Sequence, residues 1–316
     1  SLSVASAIIE AVREEIVDIN NTNTLAKVFK TEMSGITTWA WFDKNGIALK
    51  YETPLWIMER CSQKDAFSII TDESMPHDIM AHTAVVCDGK ITNPRICSFL
   101  RLKLQGISID KGMMEISTRQ SIEKLTDTEA IITVYHQSAA SKHEKLNNNQ
   151  IKMFLEATPF IQTEDPALRK IVENLRINAK TDIEIAENIN KWLYSNIKKE
   201  IRLTLPSSSE VLRTMAGDCN EHTYLAVAMG RAAGIPARVM VGIAWQDGKF
   251  YYHAWPAFYL GEWMEMDPTW GQNKVDATHI ALSEGNFLDQ AKIIRLLGKL
   301  QISVIEEGSP ITEEIR

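Results

Sequence analysis

The chain has 316 residues, 45% of them hydrophobic and 24% charged, which is enough to bury the cores of two domains. Its formal net charge of −7 leaves no basic footprint for a nucleic-acid partner, and no apolar run approaches the length of a membrane span. There is no signal peptide and no initiator Met, so a processed or trimmed chain is expected, extracytoplasmic if a signal segment was removed and otherwise cytoplasmic.

In chain order, residues 2–19 read as an amphipathic helix, because Val4, Ile8, Ala11, Val12, Glu15 and Ile19 give a mostly apolar stripe. The run Asn20-Asn21-Thr22-Asn23-Thr24 breaks it. Residues 37–42 and 47–51 flank Asp43-Lys44-Asn45-Gly46, a hairpin signal. Further strands are expected at 83–87, 99–104, 114–117 and 130–135. This half reads as a β-rich domain over residues 1–150, with a leading helix and no acid–base set. His77 and His82 sit near Asp78 without a shared helical face, which gives no metal site. Cys61, Cys87 and Cys97 lack metal-ligand spacing; a Cys87–Cys97 bridge and three reduced thiols are equal alternatives.

Residues 138–150 are polar, with three consecutive Asn, and read as a loop or linker to a second domain at 155–316. Two helices follow at 167–179 and 181–197, the second opened by a capping box of Thr181 and Glu184. Its stripe is Ile185, Ile189, Trp192 and Leu193. A short helix at 211–215 delivers Gly217. Beyond Gly271 a strand is expected at 280–282, a helix at 286–297 and a last strand at 302–305.

Residues 217–271 hold the chemistry. Asp218 and Glu221 form a capping box, Leu225, Ala228, Met229 and Ala232 recur at helical spacing, and Gly234 with Pro236 stops the helix. Cys219 therefore falls in the first turn, where unpaired N–H groups and the macrodipole favour a thiolate. Val239, Val241 and Ile243 then alternate with Met240, Gly242 and Ala244, a turn follows at 246–249, and the next strand, 251–259, carries His253. A third short strand, 263–267, ends on Asp267. A thiol, an imidazole and a carboxylate so ordered can form a nucleophile, base and orienter. A plain two-residue turn at Gly261-Glu262 would put His253 and Asp267 on opposite faces, so a three-residue loop or a bulge at Pro256 is expected.

The runs GDCNEH, RAAGIPARV, YHAW and MDPTWG resemble the transglutaminase-like superfamily of papain-type cysteine enzymes, in its bacterial branch, over roughly residues 160–285. The resemblance implies an α+β fold, with a catalytic helix packed on an antiparallel sheet after a β-rich N-terminal domain. It implies Cys219 as nucleophile, His253 as general base and acid, and Asp267 as orienting carboxylate. Trp255 and Trp270, near His253 and Asp267 in sequence, are candidate substrate-binding walls, with core packing as the default. Trp192 corresponds to no oxyanion donor at the family's spacing and reads as core. His279 lies in the VDATH run near the active-site sheet and reads as support of the fold. His222 fits a partly exposed helix face and is left out of the site.

The chemistry implied is acyl transfer through a thioester on a peptide or protein amide, with no cofactor and no metal. A cysteine peptidase or amidase is expected; transglutaminase-type cross-linking or amine conjugation, and a non-catalytic peptide-binding module, are the alternatives. A redox thiol protein is disfavoured because Cys219 has no resolving Cys in a Cys-x-x-Cys arrangement.

Overall fold

The structure is a computed structural model that describes residues 7–33, 36–52, 57–65, 84–108, 116–139, 145–200, 207–285, 293 and 299–311. His77, Asp78 and His82 fall outside these residues, as does nearly all of the helix expected at 286–297. The chain divides into two compact units, Leu2–Thr83 with Phe287–Gly298 and Ala84–Asn286 with Lys299–Arg316.

The first unit opens on strands. β1 (Ala7–Ile19) pairs antiparallel with β2 (Thr22–Met33), so the helix expected over 2–19 is corrected to a hairpin arm. Asn20 and Asn21 both adopt positive φ, 53° and 61°, between the paired Ile19 and Thr22. Two such residues make a mirror-image turn whose twist suits a hairpin, and Asn tolerates that region better than most residues. β3 (Ile36–Phe42), β4 (Ala48–Glu52) and β5 (Ile57–Glu59) add in sequence order, and the hairpin expected around residues 43–46 is present. Ile19, Ala26, Val28, Trp41 and Leu49 form the buried cluster of this sheet.

The second unit holds two larger sheets. β6 (Cys87–Asp88), β7 (Phe99–Gln105), β8 (Gln120–Lys124), β9 (Glu129–Tyr135) and the last strand, β16 (Gln301–Glu307), form one in the order β6-β16-β7-β9-β8. Leu100, Leu102 and Leu104 on β7, and Ala130, Ile132 and Val134 on β9, are fully buried, the period-2 signature of a sheet with one covered face. The ladder also redraws the expected partition into 1–150 and 155–316. β16 lies between β6 and β7, so strands from both sides of that boundary share one sheet. Half of the strand expected at 114–117 lies outside the described residues; Ile116 and Ser117 lie in a bend and the next strand begins at Gln120.

Between the sheets in sequence come α1 (Asn148–Met153), α2 (Pro166–Arg176), α3 (Asp182–Asn196), α4 (Ser208–Thr214) and α5 (Cys219–Ala232). The polar run read as a linker ends in α1, because Asn147 accepts from the amides of Asn149 and Gln150 as an N-cap. A parallel bridge of β10 (Lys198–Lys199) with β11 (Ala216–Gly217) leads the chain to Cys219. After α5, β12 (Ala237–Gln246), β13 (Lys249–Tyr259), β14 (Trp263–Glu265) and β15 (Ile280–Glu284) form the second sheet, in the order β14-β13-β12-β15.

α5 is the core helix, with every residue from Glu221 to Gly230 buried. Gly230 lets it approach β13, since a Cβ there would lie 2.6 Å from the Phe258 ring. The fold is therefore α+β, with a buried helix packed on an antiparallel sheet and an N-terminal antiparallel sheet. Cys61, Cys87, Cys97 and Cys219 are all free thiols, which removes the Cys87–Cys97 bridge. Among the described residues no helix is long and apolar enough to cross a membrane.

Candidate active site

Cys219 is held at the first position of α5 by reciprocal capping. Asp218 accepts from the Asn220 amide at 2.8 Å, and Glu221 Oε2 accepts from the Asp218 amide at 3.0 Å. Gly217 makes room for this box, because a Cβ there would stand 2.1 Å from that of Glu221. Thr223 Oγ1 donates to the Cys219 carbonyl at 2.6 Å.

The strands bring the other two residues together in the expected way. Tyr259 pairs with Trp263 across the three-residue loop Leu260-Gly261-Glu262, and Ala257 pairs with Glu265. Met266 continues the ladder by donating to the Pro256 carbonyl at 3.1 Å. The loop length alone restores the parity, and no bulge at Pro256 is needed. His253 and Asp267 share a face, and His253 Nε2 donates to Asp267 Oδ2 at 2.9 Å. The thiol helix packs on β13, and the Ala254 backbone acts on the Cys219 thiol to favour its ionised form. The thiol thus lies against the residue that follows His253.

Asp267 is fully buried and fully used. Its Oδ1 accepts from the amides of Thr269 and Trp270, at 2.7 and 3.2 Å. Its Oδ2 takes His253 and also His279 Nε2, at 3.2 Å. Burial would push this carboxyl up, but His253, by charge and hydrogen bond, and then His279 hold it well below the ordinary carboxylate range.

Two expectations about the thiol and its surroundings are corrected. Burial pushes Cys219 well above an ordinary thiol, and the charges of Asp218, Glu221 and Asp267 add to this, against the Ala254 hydrogen bond. Burial and charge thus oppose the helix tip at this thiol. His222 is not on an exposed face: it is fully buried, its Nδ1 lies 2.7 Å from the Asp218 carbonyl, and its Nε2 has no hydrogen-bond partner among the described residues.

The two candidate walls part ways. Trp255 is 0% exposed and its Nε1 donates to the buried carboxylate of Glu265 at 2.8 Å, which removes it as a surface for substrate. That carboxylate is also bound by Arg119, at 2.9 Å, and Ser117. Trp270 is half-buried and stacks on the His253 ring with centroids 4.5 Å apart and planes within 13°. The Arg95 guanidinium lies 4.3 Å from the Trp270 ring centre. Trp192 is half-buried on α3.

Sequence reasoning missed Asp276 and Arg95 and undervalued His279. His279 Nδ1 meets Asp276 Oδ1 at 3.1 Å, and Arg95 Nη1 donates to Asp276 Oδ2 at 2.8 Å. The spacing of Asp276, Thr278 and His279, a carboxylate followed by groups able to fold back on it, was the available signal. Ligand atoms of His253, Asp267 and His279 lie within 4.8 Å of one another, the one set among the described residues with metal-ligand proximity. Hydrogen bonds between the same atoms account for that proximity.

Residues 169–268 match the Transglutaminase-like superfamily, a span that takes in Cys219, His253 and Asp267. No curated protein matches the chain. Among solved structures, a candidate cysteine protease from Cytophaga hutchinsonii is 16% identical, with a TM-score of 0.41 over 70% of this chain and 89% of that one. The periplasmic domain of TgpA from Pseudomonas aeruginosa is also 16% identical, with a TM-score of 0.41 over 60% of this chain and 81% of that one. A candidate protease from Parabacteroides distasonis is 10% identical, with a TM-score of 0.31 over 90% of this chain and 68% of that one. Where the thiol helix and the His253–Asp267 strands assemble is where the family match falls, and by that segment, residues 169–268, the chain carries a domain of the transglutaminase-like superfamily.

Proposed function

We propose that this chain is a cysteine-nucleophile acyl-transfer enzyme, acting on peptide or protein amides as a peptidase or amidase. The observation that carries the reading is the buried His253–Asp267 pair, 2.9 Å apart, with His253 on the strand against which the Cys219 helix packs.

A carboxylate only accepts, so the proton of His253 is committed to Nε2 and Nδ1 is the basic nitrogen. In the proposed reaction Nδ1 takes the thiol proton as the sulfur attacks the amide carbonyl. Proton transfer then accompanies the attack. The oxyanion receives the Cys219 amide, one of the orphan donors of the α5 tip. Collapse forms the thioester while His253 protonates the departing amine, and Asp267 stabilises the imidazolium in between. Water then resolves the thioester to an acid; an amine would instead yield a new amide. By resemblance, the YHAW and MDPTWG runs favour water.

The test is mass spectrometry on a peptide library incubated with wild type and Cys219→Ala. Cleavage or loss of ammonia, abolished in the variant, is the expected result. Incorporation of an added amine would replace hydrolysis with conjugation. Binding without any mass change would mark a peptide-binding module.

A further inference from the structure

His279 is completely buried, yet each ring nitrogen faces a carboxylate, Nε2 to Asp267 at 3.2 Å and Nδ1 to Asp276 at 3.1 Å. Carboxylates cannot donate, so both contacts are satisfied only when both nitrogens carry protons. Asp276 is fixed in turn by Arg95, Gln272 and Thr278: Gln272 Nε2 reaches Oδ2 at 2.9 Å and the Thr278 amide reaches Oδ1 at 2.8 Å. The result is a line of alternating charge, from His253 through Asp267, His279 and Asp276 to Arg95.

We propose that His279 is a positioning residue for the His253–Asp267 pair, an imidazolium held between two carboxylates that keeps Asp267 Oδ2 aimed at His253 Nε2. The role rests on the catalytic reading of Cys219, His253 and Asp267 given above. The ring acts through Asp267 and touches no reacting atom. A buried carboxylate with two unequal neighbours would otherwise rotate toward whichever donor binds better. Here Oδ1 is tied to two backbone amides and Oδ2 is shared between two imidazoles, which leaves one orientation.

The other groups packed on the ring agree with a charged state. The Arg119 guanidinium binds the His279 carbonyl, at 2.9 Å, and is itself neutralised by Glu265. The Trp255 and Trp270 rings approach at centroid distances of 5.1 and 5.2 Å and the His253 ring at 5.5 Å. Burial lowers the affinity of His279 for its second proton, but Asp276 and Asp267 outweigh it and raise it. The positive charge of His279 thus sits on the same carboxylate oxygen that His253 meets.

Two measurements on the full chain test this. In wild type carrying 15N-labelled histidine, NMR should show both His279 ring nitrogens protonated from pH 6 to 9; a neutral tautomer in that range overturns the proposal without any variant. In folded His279→Gln, the acid limb of Cys219 alkylation by iodoacetamide should move up by about one pH unit, because the positive charge beside Asp267 is gone. A folded variant with lower thermal stability but an unshifted limb assigns His279 a purely structural role and overturns the proposal. Turnover separates the two readings. If wild type never acylates while the limb still shifts as stated, the enzyme assignment fails and the role of His279 on the pair stands.

Discussion

Replacing Asp267 by Asn changes one atom and should disable the site. The backbone amides of Thr269 and Trp270, 2.7 and 3.2 Å from Oδ1, admit only an acceptor there, so the Asn oxygen must take that place. The new NH2 then occupies the Oδ2 position, facing His253 Nε2 where a donor stood 2.9 Å away. His253 can keep a hydrogen bond only by accepting at Nε2, which moves its proton to Nδ1, the nitrogen that must receive the thiol proton. The base is thus locked in the wrong tautomer. The same change in the serine-protease triad costs about 10⁴-fold in kcat, equivalent to roughly 5.5 kcal/mol of barrier. Steady-state hydrolysis of a peptide identified by the library experiment, with circular dichroism to confirm folding, reads the effect. A folded Asp267→Asn variant within tenfold of wild type would refute the tautomer argument and the role of His253 as base.

Glu221 is buried beside Asp218, and burial first, then Asp218, pushes its carboxyl up to about 8. A folded state that keeps a proton the unfolded chain has lost becomes less stable as pH rises from the ordinary Glu value toward 8. The melting temperature should therefore fall across that window, and Glu221→Gln should flatten the fall; an equal slope in both proteins would count against it. Gly230→Ala would place a methyl 2.6 Å from the Phe258 ring. Overpacking of about 1–3 kcal/mol should outweigh the ~1 kcal/mol gained in helix propensity, so a melting temperature at or above wild type would contradict the packing account. A fragment of residues 155–316 should fail to fold, because β16 loses β6 and β7 and buried Glu265 loses Arg119. A soluble fragment with a cooperative melt would show that those contacts are dispensable.

The legible parts of this protein are those whose cause lies within a few residues. Asp218 and Glu221 announce the start of the thiol helix because the box closes over one turn, and Gly234 with Pro236 announces its end. The parity argument for His253 and Asp267 needed only the alternation of a strand and the length of one loop, and the register obeys it. What the sequence could not decide depends on partners far along the chain. Residues 7–19 carry an apolar pattern compatible with a helix, and the pairing with residues 22–33 made them a strand. The division into units escaped because β16 enters the ladder between β6 and β7, nearly two hundred residues downstream of β7. Trp255 and Trp270 are equivalent candidates in sequence, and burial against Glu265 or exposure over His253 separates them. The thiol follows the same rule. A helix tip is a local feature that favours a thiolate, while burial and the neighbouring Asp218 act through space in the opposite direction. Only the folded chain brings Arg95, Asp276 and His279 to Asp267, so the order of charges around the base was set by tertiary structure.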